Sequence, residues 1–346
     1  MNRMSKPLFQ AGQNRSITRP ILLIGATGFI GRVLLESLSR ALPDVPLRVP
    51  SRRAWRHQAL TTMPKLQLIQ ANVHDEASLR ELIEGSALVI NLAGILHSDR
   101  AMPWGKAFDQ VHVQLPLRIA KAIDHQSLIH VSALACQPEK VEAAPSMYLR
   151  SKSQAEKLLL QSGKTVTVVR PSVVFGPGDA FLNVFAKLGR LTPIVPLAGA
   201  GARFAPVHVH DLCMAITALA LHRLERSAGS KPPGLAQIDP ETSLVIEAFG
   251  PDHVRLAELF QFACQTANGS SPWIVPLPYP LAYLQALMLQ ALPGPPLMSV
   301  DNLDSMRVDN LPSGRSDIFG VKIKTLEAIG IQARGLESAS AYLRGR

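Results

Sequence analysis

The sequence is poor in cysteine and in aromatic residues, which excludes several classes of protein. Its three cysteines, Cys136, Cys213 and Cys264, lie far apart and form no Cys-x-x-Cys pair. Neither a disulfide framework nor a structural zinc site is indicated, so we expect a reducing compartment. Aromatic residues make up 5% of the chain, so the formal net charge of +10 lacks the aromatic-rich basic face typical of nucleic-acid binding. We therefore expect no nucleic-acid partner.

The N-terminal part of the chain lacks acidic residues, and no Asp or Glu precedes Glu36. We interpret residues 1–19 as a disordered basic tail, because Pro7 and Gly12 interrupt it and no clear amphipathic stripe is present. A mitochondrial targeting segment is the alternative, since the stretch is basic and contains hydroxyl residues. The expected location is the cytoplasm, with the mitochondrial matrix as the alternative.

Charged residues are also absent from Leu259 to Val300, a long uncharged run. Prolines interrupt this run, so only Leu281 to Leu292 can form a continuous helix, and a spanning helix needs about 20 apolar residues. The polar residues of that helix are Gln285 and Gln290. Burial in a C-terminal lobe is the preferred interpretation. The alternative is docking on a partner or on a membrane surface, which would place the protein at the periphery of the inner membrane.

The sequence does contain a glycine-rich turn directly after an apolar strand that begins at Ile21. Small residues let backbone N–H groups approach phosphate oxygens, and a helix that opens after the turn directs its positive end at the same phosphates. An ordinary tight turn is the alternative. The turn predicts a dinucleotide pyrophosphate site made by Gly25, Thr27, Gly28, Phe29, Ile30 and Gly31.

Apolar runs alternate with helical patterns along the first half of the chain. The runs are Leu47 to Val49, Leu66 to Ala71, Ala87 to Leu92, Leu128 to Val131 and Val166 to Val169. This alternation predicts an α/β fold with a doubly wound parallel sheet of the Rossmann type. We expect the dinucleotide-binding domain to comprise residues 20–176 and 207–250, and a smaller C-terminal lobe to comprise residues 177–206 and 251–346.

A Tyr-x-x-x-Lys pair, Tyr148 and Lys152, follows Pro145-Ser146, which favours a helix start. The spacing places both side chains one turn apart on the same helix face. An adjacent ammonium and a positive nicotinamide ring stabilise a phenolate, so we expect the pKa of the phenol to be lowered toward neutrality. Ser132, at a strand end, could hydrogen-bond a substrate carbonyl or hydroxyl. These three residues are the predicted catalytic triad, and a plain helix surface is the alternative.

Further cofactor contacts are predicted where other strands end. Arg52 and Arg53 follow the second strand, at a position where an acid would bind the ribose diol of NAD and an arginine would pair with a 2′-phosphate. NADP(H) is therefore the preferred cofactor, and NAD(H) is the alternative. The remaining predicted cofactor contacts are Asn72 and Val73 at the adenine, Leu92, Ala93 and Gly94 under the cofactor, Pro171 and Val173 beside the nicotinamide, and Tyr148 and Lys152.

His208, His210 and Asp211 superficially resemble a metal cluster, but no further ligands lie at suitable spacing. We interpret them as a strand end followed by a helix from Leu212 to Leu224, with Asp211 as its N-cap. No metal site is predicted.

Taken together, these motifs resemble the extended or atypical short-chain dehydrogenase/reductase superfamily. Within it, they are similar to the NAD(P)H-binding accessory subunit family of respiratory complex I and its bacterial relatives. The similar phrases are Val89 to Leu96, Val111 to Val113, His130 to Leu134, Arg170 to Gly178 and Leu292 to Pro296. The resemblance implies a tightly held NADPH and a position near the quinone and the membrane in the mitochondrial subunit, and a link with ubiquinone biosynthesis in other relatives.

Two residues depart from the superfamily pattern. Asn72 replaces an acid, which weakens the adenine assignment, and His112 stands where extended members usually have asparagine, which puts a standard proton relay in doubt. We expect reductase or epimerase-type hydride transfer on a small-molecule hydroxyl or carbonyl substrate. The alternative is a non-catalytic accessory or assembly subunit whose partners are proteins of a respiratory complex or of quinone biosynthesis. A sugar-nucleotide epimerase is less favoured, since the C-terminal half lacks an obvious arginine-rich diphosphate site.

Overall fold

The computed structural model describes residues 19–224, 235–291 and 298–344. Residues 1–18 of the predicted tail and Leu292 of the predicted helix lie outside the described residues. The remainder is built around a nine-stranded sheet with helices on both faces. The predicted α/β fold of the Rossmann type is confirmed.

The central sheet has the strand order β14-β15-β11-β6-β5-β4-β1-β2-β3, and its neighbours are parallel except for the antiparallel pair β14 and β15. Counted from the edge strand β3, its first six strands have the order 3-2-1-4-5-6, which is that of a dinucleotide-binding fold. Three two-stranded sheets, β10-β7, β12-β9 and β13-β8, lie outside it. The strands are β1 (Ile21–Ile24), β2 (Leu47–Ser51), β3 (Leu66–Gln70), β4 (Leu88–Asn91), β5 (Ser127–Val131), β6 (Val166–Pro171), β7 (Val174–Phe175), β8 (Ile194–Leu197), β9 (Arg203–Phe204), β10 (Val207–His208), β11 (Leu244–Ala248), β12 (Val254–Arg255), β13 (Trp273–Pro276), β14 (Asp317–Ile318) and β15 (Val321–Thr325).

Eleven α-helices lie between or after these strands in the described part of the chain. They are α1 (Phe29–Ala41), α2 (Glu76–Glu84), α3 (Lys106–Phe108), α4 (Leu115–Ala122), α5 (Met147–Leu160), α6 (Leu182–Leu188), α7 (Val209–Leu224), α8 (Leu256–Asn268), α9 (Tyr279–Gln290), α10 (Val300–Ser305) and α11 (Ser340–Leu343). A π-helical segment, Asp109–Gln114, joins α3 to α4. Short 3-10 segments cover Ala54–Thr62, Val141–Ala143, Glu327–Ile329 and Leu336–Ala339.

Two apolar layers hold the helices on the sheet. One face of the sheet packs against α1 and α7 through a core that includes Leu34 and Ile216. The other face packs against α2 and α4 through a core that includes Leu79 and Ile119. Because β1 is buried on both faces, its sequence is uniformly apolar rather than alternating.

The structure differs in two respects from the predicted domain bounds and helix start. Strands β14 and β15 extend the central sheet through β11, so Asp317–Thr325 belong to the sheet and not to the lobe. Helix α7 begins at Val209, so Asp211 lies inside its first turn and is not its N-cap. The Asp211 carboxylate instead accepts a hydrogen bond from the backbone N–H of Arg334 (2.8 Å) and pairs with its guanidinium (3.1 Å).

Helix α9 is the predicted uncharged helix. The preferred interpretation, that this helix is buried in the lobe, is wrong. Its buried residues are the small Ala282 and Ala286, whereas Leu281, Leu284 and Met288 are each more than half exposed. Burial of the whole helix fails because the side of α9 that packs on the lobe is centred on Ala282 and Ala286, while Leu281, Leu284 and Met288 lie on the outer side. Within the described ranges, no helix is both long and apolar enough to cross a membrane.

Candidate cofactor-binding and active site

A cavity of about 880 Å³ opens at the carboxyl ends of β1, β2 and β4. In parallel α/β sheets this edge is the usual place for a ligand. Twelve of the predicted cofactor residues line the cavity. They are Gly25, Thr27, Gly28, Phe29, Ile30, Gly31, Arg52, Arg53, Val73, Leu92, Ala93 and Gly94.

The glycine turn has the shape that a dinucleotide requires. Gly25 has a φ of +82°, and a Cβ there would lie 2.8 Å from the backbone N of Ala93. A Cβ on Gly31 would lie 2.3 Å from the Cα of Ala26. Gly28 is the N-cap of α1 and makes no side-chain cap hydrogen bond. The first N–H groups of α1 are thus available to a phosphate, and the residues present fit a nicotinamide dinucleotide.

One end of the cavity is positively charged. Arg52 and Arg53 line it together with His57 and His74, and the residues that line it include no Asp or Glu. The pKa of His74 is lowered, first by burial and then by the charges of Arg52 and Arg118. The side chains around this end therefore favour an anionic group.

Other predicted site residues do not line this cavity. Asn72 is exposed, and its side-chain oxygen accepts a hydrogen bond from the backbone N–H of His74 (3.2 Å), so it caps the turn after β3. The carbonyl of Pro171 accepts from Leu134 N–H, and that of Val173 accepts from Val207 N–H, which are structural contacts between strands and loops. Ser132, Tyr148 and Lys152 also lie outside the lining.

Several lining residues were missed by the sequence reasoning. Ser51, His74, Ile95 and Leu96 directly continue the predicted segments, so contiguity along a strand end was the signal for them. His57 comes from the 3-10 segment after β2, and no sequence pattern indicated it.

The predicted catalytic pair lies on α5, whose start is as expected. Ser146 is the N-cap, and its hydroxyl accepts from Leu149 N–H at 3.1 Å. The Asp301 carboxylate, which belongs to α10, accepts from Met147 N–H (2.7 Å) and Tyr148 N–H (3.0 Å). The first N–H groups of α5, which have no partner within the helix, are thus bonded by Ser146 next to the helix and by Asp301 from α10.

Lys152 links α5 to the cavity. Its Nζ donates to the carbonyl of Val131 at 3.1 Å, and a Cβ built on Gly94 would lie 3.5 Å from that Nζ. Burial lowers the pKa of Lys152 to about 8. The ammonium is therefore held directly behind the turn that forms the cavity wall.

The Tyr148 phenol differs from the sequence expectation. Burial raises its pKa above the usual range, and the Cys136 thiol and Asp301 carboxylate act in the same direction. Ser132 lies within 3.5 Å of Cys136, Oγ to Sγ. The protein's own groups therefore keep the phenol protonated, and the charge of an oxidised nicotinamide ring would act in the opposite direction.

The family can now be assigned from the chain itself. Residues 21–229 match the NAD dependent epimerase/dehydratase family, and this span includes the glycine turn, the cavity wall and α5. The chain belongs to this family. Membership confirms the expectation of a nicotinamide-dinucleotide-binding protein, while the choice between NADP(H) and NAD(H) stays a prediction.

Curated relatives include subunits of mitochondrial complex I. The chain is 31% identical over 200 residues to NADH dehydrogenase (ubiquinone) 1 alpha subcomplex subunit 9 of Dictyostelium discoideum; the match covers 57% of this chain and 54% of the relative, about half of its length. The subunit of the same name in Arabidopsis thaliana is 27% identical over 337 residues, which cover 93% of this chain and 78% of the relative. A ceramide reductase of Caulobacter vibrioides is 25% identical over 201 residues, covering 57% of this chain and 60% of the relative.

Solved structures share the fold at low identity. The NADPH-dependent quinone oxidoreductase of Escherichia coli in complex with NADPH has a TM-score of 0.63 at 16% identity and covers 93% of this chain and 99% of its own. MoeE5 in complex with UDP-glucose and NAD has a TM-score of 0.59 at 17% identity, and the match covers 94% of this chain and 97% of MoeE5. At this identity the likeness shows the fold alone.

Proposed function

We propose that the protein is an NADP(H)-dependent reductase or epimerase-type enzyme that acts on an apolar hydroxyl or carbonyl compound. The observation that carries this proposal is the position of Lys152 Nζ, 3.5 Å from where a Cβ of Gly94 would lie, with Tyr148 one turn earlier on α5. The acid–base pair and the cavity wall are thus neighbours.

Each residue of the triad has a distinct task in carbonyl reduction. When bound, a reduced nicotinamide would supply a hydride for the carbonyl carbon. Tyr148 donates its phenolic proton to the carbonyl oxygen, and Ser132 Oγ hydrogen-bonds that oxygen. Lys152, held by the Val131 carbonyl, stabilises the phenolate that remains.

The surroundings of Tyr148 favour an apolar substrate. Its ring packs in a cluster with Ala133, Ala144, Leu149 and Val308, and the nearby Cys136 thiol has its pKa raised to about 12 by burial, so it stays neutral. An apolar ketone or a quinone-derived compound fits such surroundings better than a sugar nucleotide does. A ceramide reductase and complex I subunits among the relatives agree with that class.

The catalytic role is tested with NADPH and a panel of apolar ketones and quinones, by following NADPH oxidation. Tyr148→Phe keeps the ring and removes the hydroxyl, so we expect NADPH binding to survive and turnover to fall about 10² to 10⁴-fold. Equal turnover in the two proteins with every active compound would refute the assigned role of Tyr148.

The cofactor choice is supported by the two arginines and the acid-free lining of the cavity. A charge-assisted contact with a 2′-phosphate contributes more than a neutral one, so NADPH should bind more tightly than NADH. Replacing Arg52 and Arg53 with alanine should remove most of that preference and leave NADH affinity nearly unchanged. Tighter binding of NADH by the unaltered protein would contradict the choice.

A second candidate function is a non-catalytic accessory or assembly subunit of a respiratory complex. It is favoured by the raised pKa of Tyr148 and by the names of the complex I relatives. In that case the Tyr148→Phe variant restores the native phenotype to a deletion strain. A variant in which the turn at Gly25, Gly28 and Gly31 is disrupted does not. Restoration by both, or by neither, argues against this candidate.

Association with a membrane surface forms part of the proposal. We define the apolar face as Ile194, Trp273, Val275, Leu281, Leu284 and Met288, each 43% or more exposed. These residues are held together, because β13 pairs with β8 and Gln285 Nε2 on α9 donates to the Pro196 carbonyl of β8 at 2.9 Å.

The polar rim of this face suits an anionic lipid bilayer. The exposed Arg100 donates to the Tyr283 hydroxyl (2.9 Å), and the Arg307 guanidinium lies over the Tyr279 ring (5.5 Å). Asp304 accepts from the Tyr279 hydroxyl and is the acid of this rim. Tyrosine and tryptophan beside arginine are typical of the membrane interface. The location we propose is the cytoplasmic side of the inner membrane, with the mitochondrial matrix as the alternative.

Flotation with vesicles that contain anionic lipid tests this contact. We expect binding at low salt, and we expect Leu284→Asp with Met288→Asp to abolish it while Trp55→Ser, at an exposed tryptophan away from the apolar face, has no effect. Absence of flotation, or equal flotation of the double variant, would exclude a membrane as the occupant. A stable protein complex without lipid binding would point to a protein partner instead.

A further inference from the structure

His112 is completely buried in the π-helical segment between α3 and α4, and its two ring nitrogens bind different parts of the site. Nε2 accepts a hydrogen bond from the backbone N–H of Ile95 at 3.1 Å. Nδ1 lies 2.9 Å from the Ser151 hydroxyl on α5. Ile95 lines the cofactor cavity, and Ser151 precedes Lys152.

The hydrogen bonds around Ser151 fix the tautomer of His112. The Ser151 hydroxyl donates its single hydrogen to the Tyr148 carbonyl at 2.9 Å, so it accepts from His112 Nδ1–H. Nε2 is then unprotonated, as its role as acceptor from Ile95 requires. Burial, followed by the charges of Lys152 and His130, lowers the pKa of His112 well below its usual range and keeps this neutral form.

The ring of His112 also contacts the predicted catalytic residue. It stacks on Phe108 with 5.0 Å between ring centroids and meets the Tyr148 ring edge-on at 5.5 Å. A Cβ on Gly94 would lie 3.9 Å from Nε2 and 3.5 Å from Lys152 Nζ. Both side chains therefore lie against the turn at Gly94, and a shift of this turn would disturb both.

We propose that His112 is a positioning residue that fastens the Gly94–Ile95 turn of the cofactor cavity to the helix that carries Tyr148 and Lys152. This inference rests on the proposed cofactor site. It also explains why a histidine can stand at this position without serving as a proton relay: Nε2 is engaged by the Ile95 backbone N–H and Nδ1 by the Ser151 hydroxyl. The expected consequence of losing the Ile95 contact is weaker NADPH binding, because the lining from Leu92 to Leu96 loses its support.

Two amide substitutions separate the two contacts. A glutamine places its amide oxygen about where Nε2 lies, so His112→Gln keeps an acceptor for Ile95 N–H. An asparagine places its amide near Nδ1, so His112→Asn keeps the Ser151 contact and leaves the Ile95 N–H without a partner. A buried donor without a partner weakens the local structure by enough to reduce affinity about tenfold.

The test combines NADPH titration with hydrogen exchange at the Ile95 amide. We expect His112→Gln to bind NADPH within about threefold of the unaltered protein with a protected amide, and His112→Asn to bind about tenfold more weakly with fast exchange. Ser151→Ala, which removes only the contact on α5, should leave Ile95 protected. If the asparagine variant does not fold, His112→Met fills similar volume without a strong acceptor and takes its place.

The outcomes distinguish this inference from the proposed function. Equal NADPH affinity in the glutamine and asparagine variants, or a protected Ile95 amide in the asparagine variant, overturns the role of His112. If the unaltered protein does not bind NADPH, the proposed cofactor fails, and Ile95 exchange in the two variants still decides whether His112 fastens the turn.

Discussion

The sheet half and the C-terminal lobe of this molecule use their apolar residues in opposite ways. In the sheet half, β1 and β4 are fully buried, and helices cover both faces. In the lobe, α9 buries only two alanines and exposes three of its four leucines. The comparison teaches that the first half buries its apolar residues against the sheet and carries an acid-free cavity at the sheet's edge, whereas the second presents an outward apolar surface.

The largest expected effect breaks the sheet half at its glycine turn. A Cβ on Gly31 would meet the Cα and O of Ala26 at 2.3 and 2.4 Å, and these backbone atoms cannot move without shifting the turn. We expect Gly31→Ala to lower the free energy of unfolding by about 3 kcal/mol and to abolish NADPH binding. Urea denaturation and fluorescence titration measure the two quantities.

Gly28→Ala is the matched control for that substitution. Its Cβ would lie 3.5 Å from the Gly25 carbonyl oxygen, which is an ordinary contact. We expect a change below about 1 kcal/mol in the free energy of unfolding. If both variants lose the same stability, the close approach of α1 to the turn is not what requires glycine at position 31.

This turn also shows how much of the site could be predicted from sequence. The predicted residues Gly25, Thr27 to Gly31, Arg52, Arg53 and Leu92 to Gly94 line the cavity, and each segment is a strand end or the turn that follows it. Such segments are local, and a parallel sheet brings their ends to one edge. Most of the residues that line the cavity could therefore be predicted from the sequence.

The surroundings of α5 were not predictable in the same way. Asp301 reaches the start of α5 from more than 150 positions away in the chain, as its bonds to Met147 and Tyr148 show. The pKa of Tyr148 depends on burial, which spacing does not encode. The exposure of α9 was missed for a related reason, because an almost uniformly apolar sequence does not reveal which side its own lobe covers.

Three buried histidines lie in different elements: His130 in β5, His208 in β10 and His112 in the π-helical segment. Burial lowers the pKa of His112 and His130 well below 6.5 and that of His208 to about 4. The unfolded chain takes up these protons first as the pH falls, so stability is complete above about pH 6.5 and is lost below it toward the folded pKa. Each histidine should contribute a slope of about 1.4 kcal/mol per pH unit there.

Denaturation curves between pH 7.5 and pH 5 measure this slope. His130→Gln should reduce the slope by the contribution of one proton, about 1.4 kcal/mol per pH unit, whatever the substitution does to stability at neutral pH. His130 is a suitable choice because it is wholly buried and its Nδ1 contacts the Asn91 amide at 3.2 Å. An unchanged slope in the variant would show that His130 takes up no proton when the protein unfolds in this pH range.

A smaller effect is expected where the lobe supports the sheet half. Asp301→Asn replaces a carboxylate that accepts from two backbone N–H groups with an amide that has one acceptor oxygen. We expect a loss of about 1 to 2 kcal/mol in the free energy of unfolding, as for other helix caps. Asp304→Asn, on the same helix but bonded to the exposed Tyr279 hydroxyl, should cost less than about 0.5 kcal/mol. Equal losses would mean that capping of α5 is not the role of Asp301.

The smallest effect tests the exposed side of the comparison. Leu284 on α9 is 53% exposed and Ala286, two positions later, is fully buried. We expect Leu284→Gln to change the free energy of unfolding by less than about 0.5 kcal/mol, because glutamine is a good helix former and little packing is lost. Ala286→Gln should cost about 1 to 3 kcal/mol, since the longer side chain must be forced against the lobe. If Leu284→Gln proves as costly as Ala286→Gln, the leucine is packed within the protein's own core, and the outward apolar surface of the lobe is smaller than the exposure of α9 indicates.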